Sequence, residues 1–143
     1  MKNQILILSV YFICALSLAG CRVVTFDNLP SEAQVFLTEN FPEFPVSYAV
    51  KECNEYEITL SNGAEIEFNG KGEWKSVDMH HGMVPDGVLS TLPAPIITYL
   101  SSSFAQVPVE KVKKGFRYAY ELELVNDLEL KFNSKGVCRK IDD

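Results

Sequence analysis

His80 and His81 follow Asp78 in "DMHHG", where both histidines of the chain meet a carboxylate. A metal centre needs about three or four ligands that converge on one point. Neighbouring histidines on a strand face opposite ways, and on a helix they diverge, so the stretch reads as a polar linker. Ser101, Ser102 and Ser103 lack the Gly-x-Ser-x-Gly elbow that sharpens a nucleophile. Cys53 carries no flanking catalytic signature. The glycines of "NGKG", Asn69 to Gly72, sit between strand patterns, where no helix N-terminus follows to hold a phosphate. Glu57, Glu65 and Glu67 could gather around Ca²⁺, but that ion takes about six to eight oxygens, usually from Asp-rich turns. Trp74, the single tryptophan, could anchor a ligand. No nucleophile–base or acid–base set stands out. The expectation is a chain that is not an enzyme, with no metal and no cofactor.

The elements that carry these residues are written twice. "YEITLSNGAEIEFNGKGEW" begins at Tyr56, and "YELELVNDLELKFNSKGVC" begins at Tyr120, a constant offset of 64. In each, apolar residues alternate with polar ones, the mark of strands with one buried face. Tyr56, Ile58, Leu60, Ala64, Ile66 and Phe68 are predicted to face inward, and Asn62-Gly63 to close a hairpin. Upstream, "LPSEAQVFLTENFPEFPV" from Leu29 matches "LPAPIITYLSSSFAQVPV" from Leu92. The apolar positions there follow the spacing of an amphipathic helix, with Pro30 and Pro93 suited to a first turn. The predicted fold is therefore α+β: two tandem repeats, residues 22–79 and 84–143, each a helix packed on an antiparallel sheet of three to four strands. A unit of about 50 residues buries too little apolar surface to be comfortable alone. Each could pair its sheet with its twin's, or pack against it, and share a larger core.

The leader "MKNQILILSVYFICALSLAGC" has one lysine and an apolar run. It is too short for a dependable membrane span and fits a secretory signal. Its exit, Leu18-Ala19-Gly20-Cys21, looks like a bacterial lipobox, which implies that residues 1–21 are a lipoprotein signal and that Cys21 is acylated. An ordinary signal peptide with a coincidental cysteine is the other reading. The acyl chains would hold the chain at a membrane surface. A net charge of −6 argues against nucleic acid, whose phosphates demand a basic face, and no basic cluster follows Cys21 in sequence to hold anionic lipid. Cys53 and Cys138 could pair outside the cytosol or remain free thiols.

Taken together, "LP…FL…FP", the "NG.EIEF…GEW" run and the "VP..V" segment resemble the PepSY-like group, β-lactamase-inhibitor-like proteins, across nearly all of the chain beyond Cys21. The resemblance implies a fold like that of the β-lactamase inhibitory protein, with helices on one sheet face and a partner on the other. It also implies a protein of the cell envelope, periplasmic or associated with the outer membrane. The expected function is a protein- or peptide-binding module, an inhibitor or regulator of a peptidase or other enzyme. The alternative is a small-molecule or metal-binding protein that uses the cleft between the repeats. The residues expected to meet a partner are Glu57, Glu65, Glu67, Trp74, Glu121, Glu123 and Glu129. A mostly carboxylate face suits a partner of basic character and departs from the aromatic and arginine-rich surface of a tight inhibitor.

Overall fold

A computed structural model describes residues 20–143; the apolar leader up to Ala19 lies outside the described residues. The expected pair of helix-on-sheet repeats is corrected. The described residues form one open antiparallel sheet of nine strands in simple sequential order, and the fold is mostly β. The strands are β1 (Cys21–Val23), β2 (Val46–Glu52), β3 (Glu55–Leu60), β4 (Glu65–Asn69), β5 (Trp74–Asp78), β6 (Val109–Lys113), β7 (Tyr120–Leu124), β8 (Glu129–Phe132) and β9 (Cys138–Asp142). The helices are short: α1 (Ser31–Asn40), a single turn α2 (Asp86–Leu89) and α3 (Ala94–Ser103).

The physical reason lies in the join between the two halves. Ser76, Val77 and Asp78 of β5 pair with Lys113, Val112 and Lys111 of β6. That ladder uses the backbone groups that an isolated half-sheet would leave unpaired at its edge, and it makes one sheet of what would otherwise be two. The linker cooperates, since the Met79 amide donates to the Glu110 carbonyl and the Val84 amide to the Val109 carbonyl. One continuous apolar core results. It contains Ile58, Ile66 and Phe68 from the first half, Val77 and Val112 from the join, and Leu122, Leu130 and Phe132 from the second.

Alternation sets the two faces of this sheet. Ala33 and Leu37 of α1 and Ile96 of α3 are buried on the core face. Phe36 meets the edge of Phe68 at 5.5 Å between ring centres, and Tyr99 meets Phe132 in the same manner at 5.7 Å. Tight backbone turns place these elements. Gly63 adopts φ +86°, as the Asn-Gly hairpin requires. Gly72 has φ +91°, and a Cβ there would come within 2.8 Å of the Ala33 amide nitrogen, so this glycine lets the β4–β5 turn pass under α1. Among the described residues no helix lies on the second sheet face. This face presents the polar members of each strand.

Candidate functional site: the open face of the sheet

Strand pairing places the expected carboxylates on this open face. Glu57 of β3 stands directly opposite Glu67 of β4, with Thr59 opposite Glu65. Glu123 stands opposite Glu129, and Glu121 opposite Lys131. Like charges directly across a ladder are destabilising, so each pair raises the question of what offsets it. In the second half the answer is visible. Lys131 donates to Asp142 at 2.8 Å and lies 3.2 Å from Glu129. Those two carboxylates hold its ammonium well above the ordinary lysine range, and Lys131 and Lys140 hold Asp142 below the carboxylate range. Lys111 of β6, opposite Glu123, pairs with Asp78 at 2.7 Å. Glu123 still has a raised pKa, chiefly because it is partly buried, with Lys111 pulling the other way.

The first half is different. Lysine 131 occupies the position that Glu67 fills in the first half, so the same ladder site carries opposite charge in the two halves. Among the described residues no ion pair is formed by Glu57 or Glu67. Glu57 is pushed up from the usual carboxylate range, first by partial burial, then by the neighbouring charges of Glu67, Glu52, Glu65 and Glu55. Glu55 is paired with Lys75. Glu65 has His80, whose Nε2 lies 3.2 Å away. Glu67 lies within the field of the Lys111 ammonium, so the crowding of like charge is greatest at Glu57.

His80 does take part in the site. Its amide donates to Asp78 Oδ1 at 3.0 Å, which holds the residue at φ 56°. Its Nδ1 then faces Asp78 and its Nε2 faces Glu65. The two carboxylates address opposite ring nitrogens and so do not converge on one ion. Among the described residues no group of three or more His, Cys, Asp and Glu is arranged to hold a metal.

Trp74 is not brought to this face. It pairs with Phe68, is only 6% exposed, and stacks on Phe36 at 6.4 Å. The Lys114 ammonium lies over its ring at 3.8 Å from the ring centre, and burial lowers the pKa of that amine. Together with Glu32 and Glu73 these residues line a groove of about 470 Å³ on the core side. Cys53, in the β2–β3 turn, and Cys138 are free thiols. They lie some six strand spacings apart, roughly 30 Å, beyond the reach of a disulfide. Cys21 is exposed at the start of β1.

Sequence reading missed Lys75, Lys111 and Lys113 on the open face. "VEKVK" does alternate, but its two-residue polar step at Glu110-Lys111, matched by a bulge between Val109 and Lys111, breaks the period. A second feature lies off the sheet face. Met83, Leu89, Ile97, Leu100, Phe104 and Val107 line an apolar groove of about 810 Å³ between α2 and α3.

Among the described residues the molecule is an open antiparallel sheet with helices on one side and charged side chains on the other. The family described as "Putative beta-lactamase-inhibitor-like, PepSY-like" matches residues 54–140. The chain belongs to this family. Three crystal structures from Bacteroides are similar throughout. A "putative periplasmic protein from DUF2874 family" of Bacteroides vulgatus shares 27% identity at a TM-score of 0.77, over 86% of this chain and 97% of its own. A "putative calcium-regulated periplasmic protein" of Bacteroides thetaiotaomicron shares 31% at 0.76, over 86% and 97%. Another periplasmic protein of Bacteroides vulgatus, described as of unknown function, shares 30% at 0.77, over 87% and 100%. No curated protein matches the chain.

Proposed function

We propose that the chain is a non-enzymatic envelope protein that docks a basic protein or peptide on the open face of β2–β4. The observation that carries this reading is the Glu57–Glu67 cross-strand pair. A face kept only for solubility has no reason to retain directly opposed carboxylates where the second half places a lysine. A cation from a partner would relieve the repulsion and would be steered by the field of the surrounding carboxylates. The similar periplasmic structures support an envelope location, and the Leu-Ala-Gly-Cys exit supports acylation at Cys21. Inhibition or regulation of a peptidase is the finer form of the same proposal.

The test is capture from an envelope extract with the tagged chain, comparing wild type with the double variant Glu57→Gln/Glu67→Gln. A partner held in stoichiometric amount should be lost in the variant. It should also be lost as salt rises well past about 0.15 M, where charges separated by more than about 8 Å are screened. Retention of the same partner under both conditions would move the working surface elsewhere. The apolar groove beside α3 favours a second reading, an apolar small molecule as ligand. A ligand that co-purifies with wild type and is lost in Leu100→Glu would support it.

A further inference from the structure

The two edges of the sheet, where the strand-connecting turns lie, differ in charge. β1 begins with Cys21 opposite Glu52, so Cys21 shares an edge with the β2–β3, β4–β5, β6–β7 and β8–β9 turns. Those turns contain Lys71, Lys114, Arg117 and Lys135, and a single acidic residue, Glu73. The β3–β4 and β7–β8 turns and the segments 41–45, 79–85 and 104–108, at the other edge, contain Glu43 and Asp127 and no lysine or arginine. Glu52 and Glu55 flank the β2–β3 turn and Glu32 of α1 joins Glu73 beside the β4–β5 turn, so the basic stretch covers the β6–β7 and β8–β9 turns. A linear scan finds no basic cluster because these residues are far apart in sequence; the meander gathers them.

The β6–β7 turn adds an aromatic tip. Phe116 is 107% exposed, which is full projection into solvent. The turn beneath it is held on both sides. Lys114 sits on Trp74, and Arg117 and Lys131 each lie 5.7 Å from the Tyr118 ring. A Cβ on Gly115 would come within 2.7 Å of the Tyr118 carbonyl, so the turn closes tightly only with glycine there. Val137, in the next turn, is also exposed. An exposed aromatic ring on a held turn, with cations beside it, is the composition of a segment that seats at a bilayer interface, ring at headgroup depth and cations against phosphate.

We propose that this edge rests on an anionic phospholipid surface through its β6–β7 and β8–β9 turns, with Phe116 at the interface and Arg117 and Lys135 against the headgroups. The bilayer is chosen over an acidic protein because Cys21 lies on the same edge. In that respect the inference draws on the acylation reading, which the experiment scores separately.

The full chain, purified from membranes, is reconstituted into vesicles whose lipids carry bromine on the acyl chains. One set is phosphatidylethanolamine and phosphatidylglycerol at about 3:1, the other phosphatidylcholine alone. Tryptophan is placed at Phe116→Trp in a Trp74→Phe background, or at Val125→Trp on the opposite edge. At position 116 the anionic vesicles should quench fluorescence about twofold, and about 0.5 M salt or the pair Arg117→Glu/Lys135→Glu should restore it. Position 125 should stay bright. No quenching at 116, or equal quenching at both positions, overturns the proposal. Should the Trp74→Phe background not fold, amide exchange in the wild type decides: slowed exchange at 113–118 on the anionic vesicles supports the proposal, and unchanged exchange overturns it. The mass of the N-terminal peptide reports acylation independently. Quenching without a lipid on Cys21 keeps the surface and removes the anchor; a lipidated Cys21 with position 116 unquenched does the reverse.

Discussion

Opposed carboxylates at Glu57 and Glu67 make a claim that titration can check. The folded state raises the pKa of Glu57 above its ordinary value of 4.5, so the folded protein binds this proton more tightly than the unfolded chain does. Ionisation therefore works against folding. The penalty is fully present above the folded pKa and is relieved as pH falls through it. Glu57→Gln should raise the melting temperature at neutral pH, by about 1–3 °C for a side chain this exposed. The gain should vanish once the pH falls below 4.5. A gain independent of pH would mean that the repulsion is not its source. The carboxylates themselves were legible in the alternation of "YEITL" and "EIEF". The exchange of Glu67 for Lys131 between the repeats was legible too, but the part played by Lys111 was not, because β6 is distant in sequence from the carboxylates of β4 and meets them only through the β5–β6 ladder.

At the scale of elements, side-chain pattern and backbone pairing were not equally readable. The hairpins follow from period-two alternation and turn chemistry: Tyr56 pairs with Phe68 and Tyr120 with Phe132, and Asn62-Gly63 makes its turn. Phe68 and Phe132 are both fully buried. Truncating either to alanine should cost about 3–5 kcal/mol, measured by chemical denaturation; a cost below about 1 kcal/mol would mean the rings are not core. The helices were legible from their apolar spacing and their prolines. The β5–β6 ladder was not, since every residue offers the same amide and carbonyl and nothing in the side chains of Ser76, Val77 and Asp78 names Lys113, Val112 and Lys111 as partners. That one ladder separates two half-sheets from a nine-stranded sheet. The setting of Trp74 was hidden for a related reason: Lys114, which lies over its ring, arrives from just beyond β6.

For the molecule as a whole, one sheet and one core predict one transition. Calorimetry should show a single unfolding peak whose calorimetric and van't Hoff enthalpies agree. Two peaks would mean that the halves melt independently and that the β5–β6 ladder is weak. An open sheet also has two ends, and among the described residues β1 and β9 each have a strand neighbour on one side only. β1 spans only three residues, Cys21–Val23, and offers little template. β9 is longer, and along it lie Arg139, Lys140 and Asp142, with Lys140 bonded to Asp142 at 2.8 Å. Charges of this kind keep an exposed strand from recruiting another chain. The double change Arg139→Val/Lys140→Val would give β9 the run Cys-Val-Val-Ile, apolar and short of charge, which is the composition of a fibril-forming segment. Incubated at high concentration, that variant should bind thioflavin and sediment while wild type stays clear. The two cations that close the sheet would then be what keeps a meander finite, standing between a nine-stranded protein and an endless one.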